Sequence, residues 1–291
     1  MQPKIGLLQF TPALEPVVLG FRQGLFELGH PEESISYEYR SVDGQPDRLP
    51  GALAELLSHG VDLLLACATP AAKAAAARAA CPVIFAPVFD PVAAGLVAEA
   101  ARPGGHVTGV SGMLPGELKL RRLRELLPGL ARVAILFSPD DANSPSEVRS
   151  LQAAGPALGL EVRPVTAGDP EELVSALPTA LSAGEALLLS LDRLTDAELE
   201  RIAAAAREAG KPLVAHNAAG VRRGALLALE SDSYELGRVA AGLAHRILSG
   251  EDPAGIAVEY PRKARLILNT AVAEALGYHL PPGVVADELS R

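Results

Sequence analysis

The order of strands and helices in residues 4–86 recurs in residues 132–217. Strands that alternate with helices predict a parallel sheet, because a parallel connection must cross back over the sheet and is long enough to hold a helix. Two such segments in a chain of 291 residues predict two Rossmann-like α/β lobes, each able to bury its own core. Open parallel sheets bind ligands beyond the carboxyl ends of their strands. We therefore expect the functional site in a cleft between the lobes.

Elements outside the duplication imply that the chain crosses between the lobes more than once. The lobes are expected to span residues 1–112 plus about 232–255 (lobe I) and 113–231 plus about 256–291 (lobe II). Gly109 and Gly112 suit a hinge, since glycine absorbs large dihedral changes at little cost. With a further strand expected at 256–259, several hinge strands would let the lobes close on a ligand.

The chain is acidic, with 26 basic and 35 acidic side chains and a net charge of −9. Nucleic-acid binding needs clustered Lys and Arg. The densest basic run, residues 119–124, has leucines at helical spacing, and we interpret it as the solvated face of a helix. No apolar stretch reaches the roughly 18–20 residues of a membrane span. The chain opens directly on a strand, so either the protein is cytoplasmic or a leader has been removed.

Nine short motifs lie across the chain. They are residues 12–15 (PALE), 68–72 (ATPAA), 89–97 (FDPVAAGLV), 102–111 (RPGGHVTGVS), 142–144 (ANS), 224–226 (GAL), 231–237 (SDSYELG), 247–250 (ILSG) and 275–277 (ALG). Together they resemble ABC-transporter substrate-binding proteins of the tryptophan- and tyrosine-binding type, and the resemblance extends over nearly the whole chain.

The resemblance implies a type I periplasmic-binding-protein fold, no catalysis, and delivery of a small ligand to an ABC permease in the membrane. It implies a location in the periplasm or on a lipid anchor outside the cell, and we expect a monomer. The expected ligand carries a carboxylate and is an amino acid, apolar or aromatic. The chain departs from the family pattern at Phe89, at Arg193 and in residues 216–218, so the ligand can differ from tryptophan.

In the first lobe, candidate ligand-binding residues follow the ends of strands. Ala68 and Thr69 lie where a strand enters a helix, and the backbone N–H groups there favour a carboxylate, to which the Thr69 hydroxyl can add a donor. The alternative is that Thr69 only caps the helix. Phe10, followed by Thr11, and Phe89 would form the walls of an apolar pocket, or else pack beneath a loop.

Two aspartates compete for the ammonium group of the ligand. Asp90 follows a first-lobe strand and either binds the ligand or caps a following helical run. Asp192 ends the equivalent strand of the second lobe, where Arg193 could neutralise it instead.

In the second lobe, Ser138, Asn143 and Ser144 form the counterpart of the first loop and offer donors to a ligand. Asn143 could equally cap the next helix. His216 and Asn217 end the last repeated strand and are further candidates, although a lone histidine is more often structural than ligand-binding.

Two other classes of protein share this architecture. A cofactor-independent amino-acid racemase needs a thiol at a strand end in each lobe, whereas Cys67 has Ser190 as its counterpart, and Cys81 lies at the opposite end of its strand. Cys67 and Cys81 are also too far apart to form a disulfide. The effector domain of a transcriptional regulator would carry a DNA-binding module, yet the first strand begins at residue 4. Metal-ligand clusters, nucleophile elbows and phosphate-binding loops are not evident in the sequence, so we expect no cofactor.

Overall fold

The computed structural model describes residues 2–290, which fold as two compact units. Unit 1 comprises residues 2–113 and Asp232–Pro261, and unit 2 comprises Leu114–Ser231 and residues 262–290. Each unit is a parallel-dominated α/β structure, which confirms the predicted fold class. The elements follow the predicted order, with most boundaries within a few residues of the prediction.

The strands and helices have the following bounds. The strands are β1 Lys4–Gln9, β2 Ser36–Ser41, β3 Leu63–Cys67, β4 Val83–Val88, β5 Val107–Ser111, β6 Arg132–Phe137, β7 Glu161–Thr166, β8 Ala186–Leu189, β9 Leu213–Ala215, β10 Leu227–Glu230, β11 Arg265–Asn269 and β12 Glu288–Ser290. The helices are α1 Glu15–Glu27, α2 Leu49–Ser58, α3 Thr69–Arg78, α4 Gly116–Leu126, α5 Ser144–Ala154, α6 Pro170–Ala183, α7 Arg193–Ala197, α8 Leu199–Glu208, α9 Ala218–Arg222, α10 Ser233–Leu248 and α11 Thr270–Ala275.

The sheet of unit 1 has the strand order β2-β1-β3-β4-β5, and all its pairs are parallel. Successive side chains of a strand point to opposite faces, so each buried strand supplies both layers of core. Leu7 and Leu65 pack with α1 and α10 on one face. Leu8 and Leu64 pack with α2 and α3 on the other.

The α1 and α10 helices of unit 1 approach each other closely because glycine lies at their contact. A Cβ atom added to Gly237 would lie 2.0 Å from the backbone oxygen of Val17, and one added to Gly20 would lie 1.9 Å from that of Tyr234. Cβ atoms do not approach backbone atoms that closely. These positions therefore require glycine for the two helices to pack as they do.

The sheet of unit 2 has the order β12-β11-β10-β9-β8-β6-β7. Only the pair β10–β11 is antiparallel among its described pairs. One face packs with α4, α5 and α11, and the other packs with α6 and α8. The short helix α9 and the strand β12 were not predicted.

Residues 256–261 belong to unit 1, although the sequence predicted them in the second lobe. The N–H of Val258 donates to the backbone oxygen of Ala100, and that of Glu259 donates to Gly109. The strand expected at 256–259 is reduced to one parallel bridge between Val110 and Glu259.

Gly109 is a packing position inside β5, because a Cβ atom there would lie 2.2 Å from the backbone oxygen of Phe85. The two cysteines are free thiols, as expected. Among residues 2–290, no helix is both long enough and apolar enough to cross a membrane.

Candidate functional site

The strand order reverses at one point in each sheet. In unit 1 the reversal lies between β1 and β3, and in unit 2 it lies between β6 and β8. A parallel sheet leaves a crevice at the carboxyl side of such a switch point, because the two neighbouring connections run to opposite faces. The candidate residues follow these strands or an immediate neighbour, so each unit gathers its own set at one edge of its sheet.

Phe10 leaves β1 at the switch point of unit 1. Its N–H donates to the backbone oxygen of Cys67 over 3.3 Å, and its own oxygen accepts from Gly44 over 2.6 Å. The half-buried ring packs against the core layer beneath α2 and α3. Thr11 accepts a hydrogen bond of 3.4 Å from the N–H of Ala13 and so caps a short 3-10 turn. Backbone hydrogen bonds therefore fix the first loop of the site.

Ala68 joins β3 to α3 with a backbone conformation rare for a residue with a Cβ atom, φ +81° and ψ 157°. Such a conformation costs on the order of 1–3 kcal/mol. Ala68 occupies the N-cap position, and Thr69 is the first residue of the helix, which has no side-chain cap. The alternative that Thr69 caps α3 is therefore wrong. The first N–H groups of α3 remain without a side-chain acceptor.

Asp90 follows β4 and accepts hydrogen bonds from the described residues through one carboxylate oxygen. Its Oδ1 accepts from the N–H groups of Val92 and Ala93 over 3.0 and 2.9 Å, which stabilises a turn at 91–95 where a helical run was expected. Within residues 2–290 the other oxygen, Oδ2, has no hydrogen-bond donor. The preceding Phe89 is half-buried, and its backbone oxygen accepts from the Ser111 hydroxyl over 2.6 Å.

Asp192, the rival carboxylate in unit 2, is 4% exposed and uses both oxygens. Its Oδ2 accepts from the N–H of Ser138 over 3.1 Å and from the hydroxyl of Ser144 over 3.2 Å. Its Oδ1 accepts from the N–H of Thr195 over 2.7 Å and caps α7. One buried carboxylate therefore joins the loop after β6 to the starts of two helices.

Arg193 does not neutralise Asp192 as the sequence suggested. Its side chain is 95% exposed and lies 3.7 Å from the carboxylate of Asp141. Asp141 also accepts from the N–H of Asn143 over 3.0 Å. Asn143 precedes α5, but its side chain does not cap that helix, so the capping alternative for Asn143 is wrong.

His216 and Asn217 form a hydrogen-bonded pair at the end of β9. Oδ1 of Asn217 accepts from the N–H of Gly220 and caps α9, which directs its Nδ2 toward Nε2 of His216 at 2.9 Å. Neutral His216 therefore carries its proton on Nδ1, which is buried and has no partner among the described residues. Burial, together with the positive charge of Lys119, lowers the pKa of His216.

A buried ion pair between Lys119 and Glu147, which was not predicted from the sequence, lies beside these residues. Each side chain is 4% exposed, and Glu147 also accepts from the Ser190 hydroxyl over 2.8 Å and from the N–H of Leu191 over 3.2 Å. Burial alone would raise the pKa of Glu147, but the ammonium of Lys119 and these hydrogen bonds hold it below its usual range. Lys119 lies in the basic run interpreted as a solvated face, which is wrong for this residue. It shares the buried face of α4 with Leu123, four residues further on, and that spacing could have identified it.

Cys67 is poorly suited to proton transfer. Burial, with a smaller effect from the charge of Glu15, raises the pKa of the Cys67 thiol to about 12. Its counterpart Ser190 is fully buried and bonded to Glu147. The thiolate that a two-base racemase needs is disfavoured at Cys67, and the counterpart residue Ser190 offers only a hydroxyl.

Comparisons with known proteins give one consistent family. A family model described as ABC transporter substrate binding protein matches residues 4–288. A tyrosine-binding protein of Clostridioides difficile strain R20291 is 27% identical over 279 residues, which are 94% of this chain and 81% of that protein.

Solved structures of similar proteins agree with this family match. The ABC domain in complex with L-Trp from Streptococcus pneumoniae is 27% identical, with a TM-score of 0.70 and both chains fully covered. A ligand-free, open structure of a substrate-binding protein with adhesive properties from Clostridium difficile is 25% identical, with a TM-score of 0.82 and 98% of each chain covered.

Proposed function

The chain belongs to the family of ABC transporter substrate-binding proteins, and we propose that it captures an aromatic amino acid for delivery to an ABC permease. The family match supports a role in binding a small molecule rather than in catalysis, and we propose that the protein acts outside the cytoplasm. The choice of ligand is supported by the tyrosine-binding relative and by the L-Trp complex of the structural neighbour. We further propose that the mature protein is a monomer held in the periplasm or on a lipid anchor.

The observation that carries this proposal is the open oxygen of Asp90 beside the uncapped start of α3. These groups follow β4 and β3, which are neighbouring strands with backbones about 5 Å apart, so both groups lie at the same edge of the sheet. An α-amino acid carries its ammonium and its carboxylate on one carbon, so a single ligand would contact both groups. Oδ2 of Asp90 would accept from the ammonium, and the first N–H groups of α3 with the Thr69 hydroxyl would donate to the carboxylate.

The side chain of the ligand would contact the rings of Phe10 and Phe89. Phe10 follows β1, on the other side of β3 from Asp90, and its ring is only half-buried. An aromatic ligand that covers such a ring removes apolar surface from water and adds a ring–ring contact worth about 0.5–1.5 kcal/mol.

In unit 2, Asn143 and His216 are the proposed ligand donors. The Asn143 side chain caps no helix, and Nδ1–H of His216 has no acceptor in the described chain. Ser138, Ser144, Asp192 and Asn217 would support these donors, because their hydrogen bonds already stabilise the protein itself. We therefore assign the ligand ammonium to Asp90 rather than to Asp192.

A thermal-shift screen of the purified protein tests this function. The screen would compare the twenty amino acids with short peptides, sugars and divalent metal ions. We expect L-tyrosine, L-tryptophan or L-phenylalanine to raise the melting temperature most, because a ligand that binds only the folded state stabilises it. Stabilisation by sugars or metal ions alone would contradict the proposed ligand class.

A further inference from the structure

Tyr260 lies at the same sheet edge as the proposed ligand-binding residues of unit 1, directly after the segment 256–259 where the sequence predicted a strand. The N–H of Glu259 donates to Gly109 over 3.0 Å, and the N–H of Ser111 donates to Glu259 over 2.8 Å. The bridge between Val110 and Glu259 is parallel. This segment therefore runs beside β5 in the same direction, and Tyr260 emerges at the carboxyl edge of the sheet.

The ring of Tyr260 packs against the same core layer as the ring of Phe10. It is half-buried, and Val258 of the same segment is buried within that layer. Its hydroxyl makes no hydrogen bond to any described residue and is accessible to solvent. The hydroxyl of Tyr278, by contrast, donates to the backbone oxygen of Leu126. A partly buried tyrosine usually finds a partner for its hydroxyl. Tyr260 thus has a ring that the protein covers only in part and a hydroxyl with no partner among the described residues.

The charge of Asp90 reaches this ring. Burial, and then the negative charge of Asp90, raise the pKa of Tyr260. This agrees with the backbone geometry, which places β4, β5 and the Tyr260 segment side by side. Asp90 and Tyr260 therefore lie at the same edge of unit 1, with β5 between the strand that Asp90 follows and the segment that carries Tyr260.

We propose that Tyr260 is a ligand-contacting residue that selects aromatic side chains, with its ring facing the ring of the bound amino acid. This assignment rests on the proposed function and adds an aromatic wall to that of Phe10. The ring would supply the contact, and the hydroxyl would stay hydrated beside Asp90. Tyr260 would then distinguish an aromatic ligand from an aliphatic one of similar polarity.

The test compares Tyr260→Leu and Tyr260→Phe with wild type by isothermal titration, using L-phenylalanine and L-leucine as ligands. We expect Tyr260→Leu to weaken L-phenylalanine binding about tenfold, as the loss of a ring–ring contact and its buried area implies. Tyr260→Phe should bind within about threefold of wild type, and L-leucine should change little in either variant. Tyr37→Leu is the matched control, since Tyr37 is half-buried on β2 beneath Arg22 and pairs with Ile5, away from the carboxyl edge.

A second measurement avoids the larger substitution. The chain has no Trp and five Tyr, so bound L-tryptophan would be its only indole. Excitation of tyrosine should sensitise emission from bound L-tryptophan, and Tyr260→Phe should remove the largest share of it. Unchanged affinity in Tyr260→Leu, or unchanged sensitised emission in Tyr260→Phe, overturns the assignment of Tyr260 alone. Failure of the wild type to bind any aromatic amino acid overturns the proposed function and the assignment together.

Discussion

The hydroxyl of Ser144 donates a hydrogen bond of 3.2 Å to Oδ2 of Asp192, an oxygen that also accepts from the backbone of Ser138. The carboxylate of Asp192 is thus consumed by its own unit, whereas Asp90 of unit 1 keeps one oxygen open. Two aspartates that the sequence treats as equivalents have different surroundings. Asp192 stabilises the loop and the helix starts at the carboxyl edge of the unit 2 sheet. Asp90 is the aspartate available to a ligand.

Replacement of Asp192 with alanine should mainly destabilise the fold. It removes the cap of α7 and leaves the N–H of Ser138 without its acceptor in a buried setting, and we expect a loss of about 2 kcal/mol in the free energy of unfolding. Urea denaturation followed by circular dichroism measures this. Asp169→Ala is the control, because Asp169 caps α6 at an exposed site and should cost less. An unfolding free energy equal to that of wild type would show that Asp192 has no structural role.

Lys119→Met should be among the more damaging single substitutions in unit 2. It leaves the carboxylate of Glu147 buried without its counter-charge, which costs about 3–5 kcal/mol. The double variant Lys119→Met with Glu147→Leu should recover much of the loss, since a buried ion pair replaced by apolar side chains is often near neutral.

The control for this pair is Arg121→Met, which breaks an exposed pair with Glu117 on the same helix and should leave stability unchanged. Equal denaturation midpoints for Lys119→Met and Arg121→Met would contradict the buried pair.

Ala68→Gly should stabilise the protein. Glycine adopts φ +81° without strain, and the relief should exceed its greater freedom in the unfolded chain by about 1 kcal/mol. Ala74→Gly, inside α3, is the control and should instead cost about 1 kcal/mol. A loss of stability in Ala68→Gly would show that the Ala68 backbone carries no strain.

His216 should make stability depend on pH. Its pKa is lowered in the folded protein, so below about pH 6.5 the unfolded chain takes up a proton more readily than the folded one. The free energy of unfolding should therefore be fully retained above that pH and fall as the pH drops toward the folded pKa.

His216→Asn removes this titration and should reduce the decline between pH 7 and pH 5. His30 has a pKa lowered in the same direction and remains in both proteins, so it cancels in the comparison. Parallel stability profiles of wild type and His216→Asn would contradict a buried, neutral His216.

The alternation of strands and helices predicted both sheets and nearly all the strands and helices, because the apolar periodicity of each element depends only on nearby residues in the sequence. The capping role of Thr69 and the ion-pair partner of Arg193 could not be predicted in this way. Whether Thr69 caps a helix depends on one backbone dihedral at Ala68, and the partner of Arg193 lies 52 residues earlier in the chain. The burial of Lys119 depends on Glu147 across two helices. Tyr260 reaches the candidate site only through strand pairing with a segment about 150 residues away.

The central claim is that Asp90 binds the ammonium of an aromatic amino acid. Isothermal titration of wild type and Asp90→Asn with L-tyrosine and with its deaminated analogue 3-(4-hydroxyphenyl)propionate tests it most directly, because the asparagine keeps the Oδ1 acceptor for the turn at 91–95. Asp169→Asn is the matched control, since Asp169 caps two N–H groups in the same way. We predict that wild type and the control prefer L-tyrosine over the analogue by about 10- to 100-fold, the worth of a charged hydrogen bond, and that Asp90→Asn loses this preference. An undiminished preference in Asp90→Asn, or no binding of L-tyrosine, L-tryptophan or L-phenylalanine by wild type, would contradict the claim.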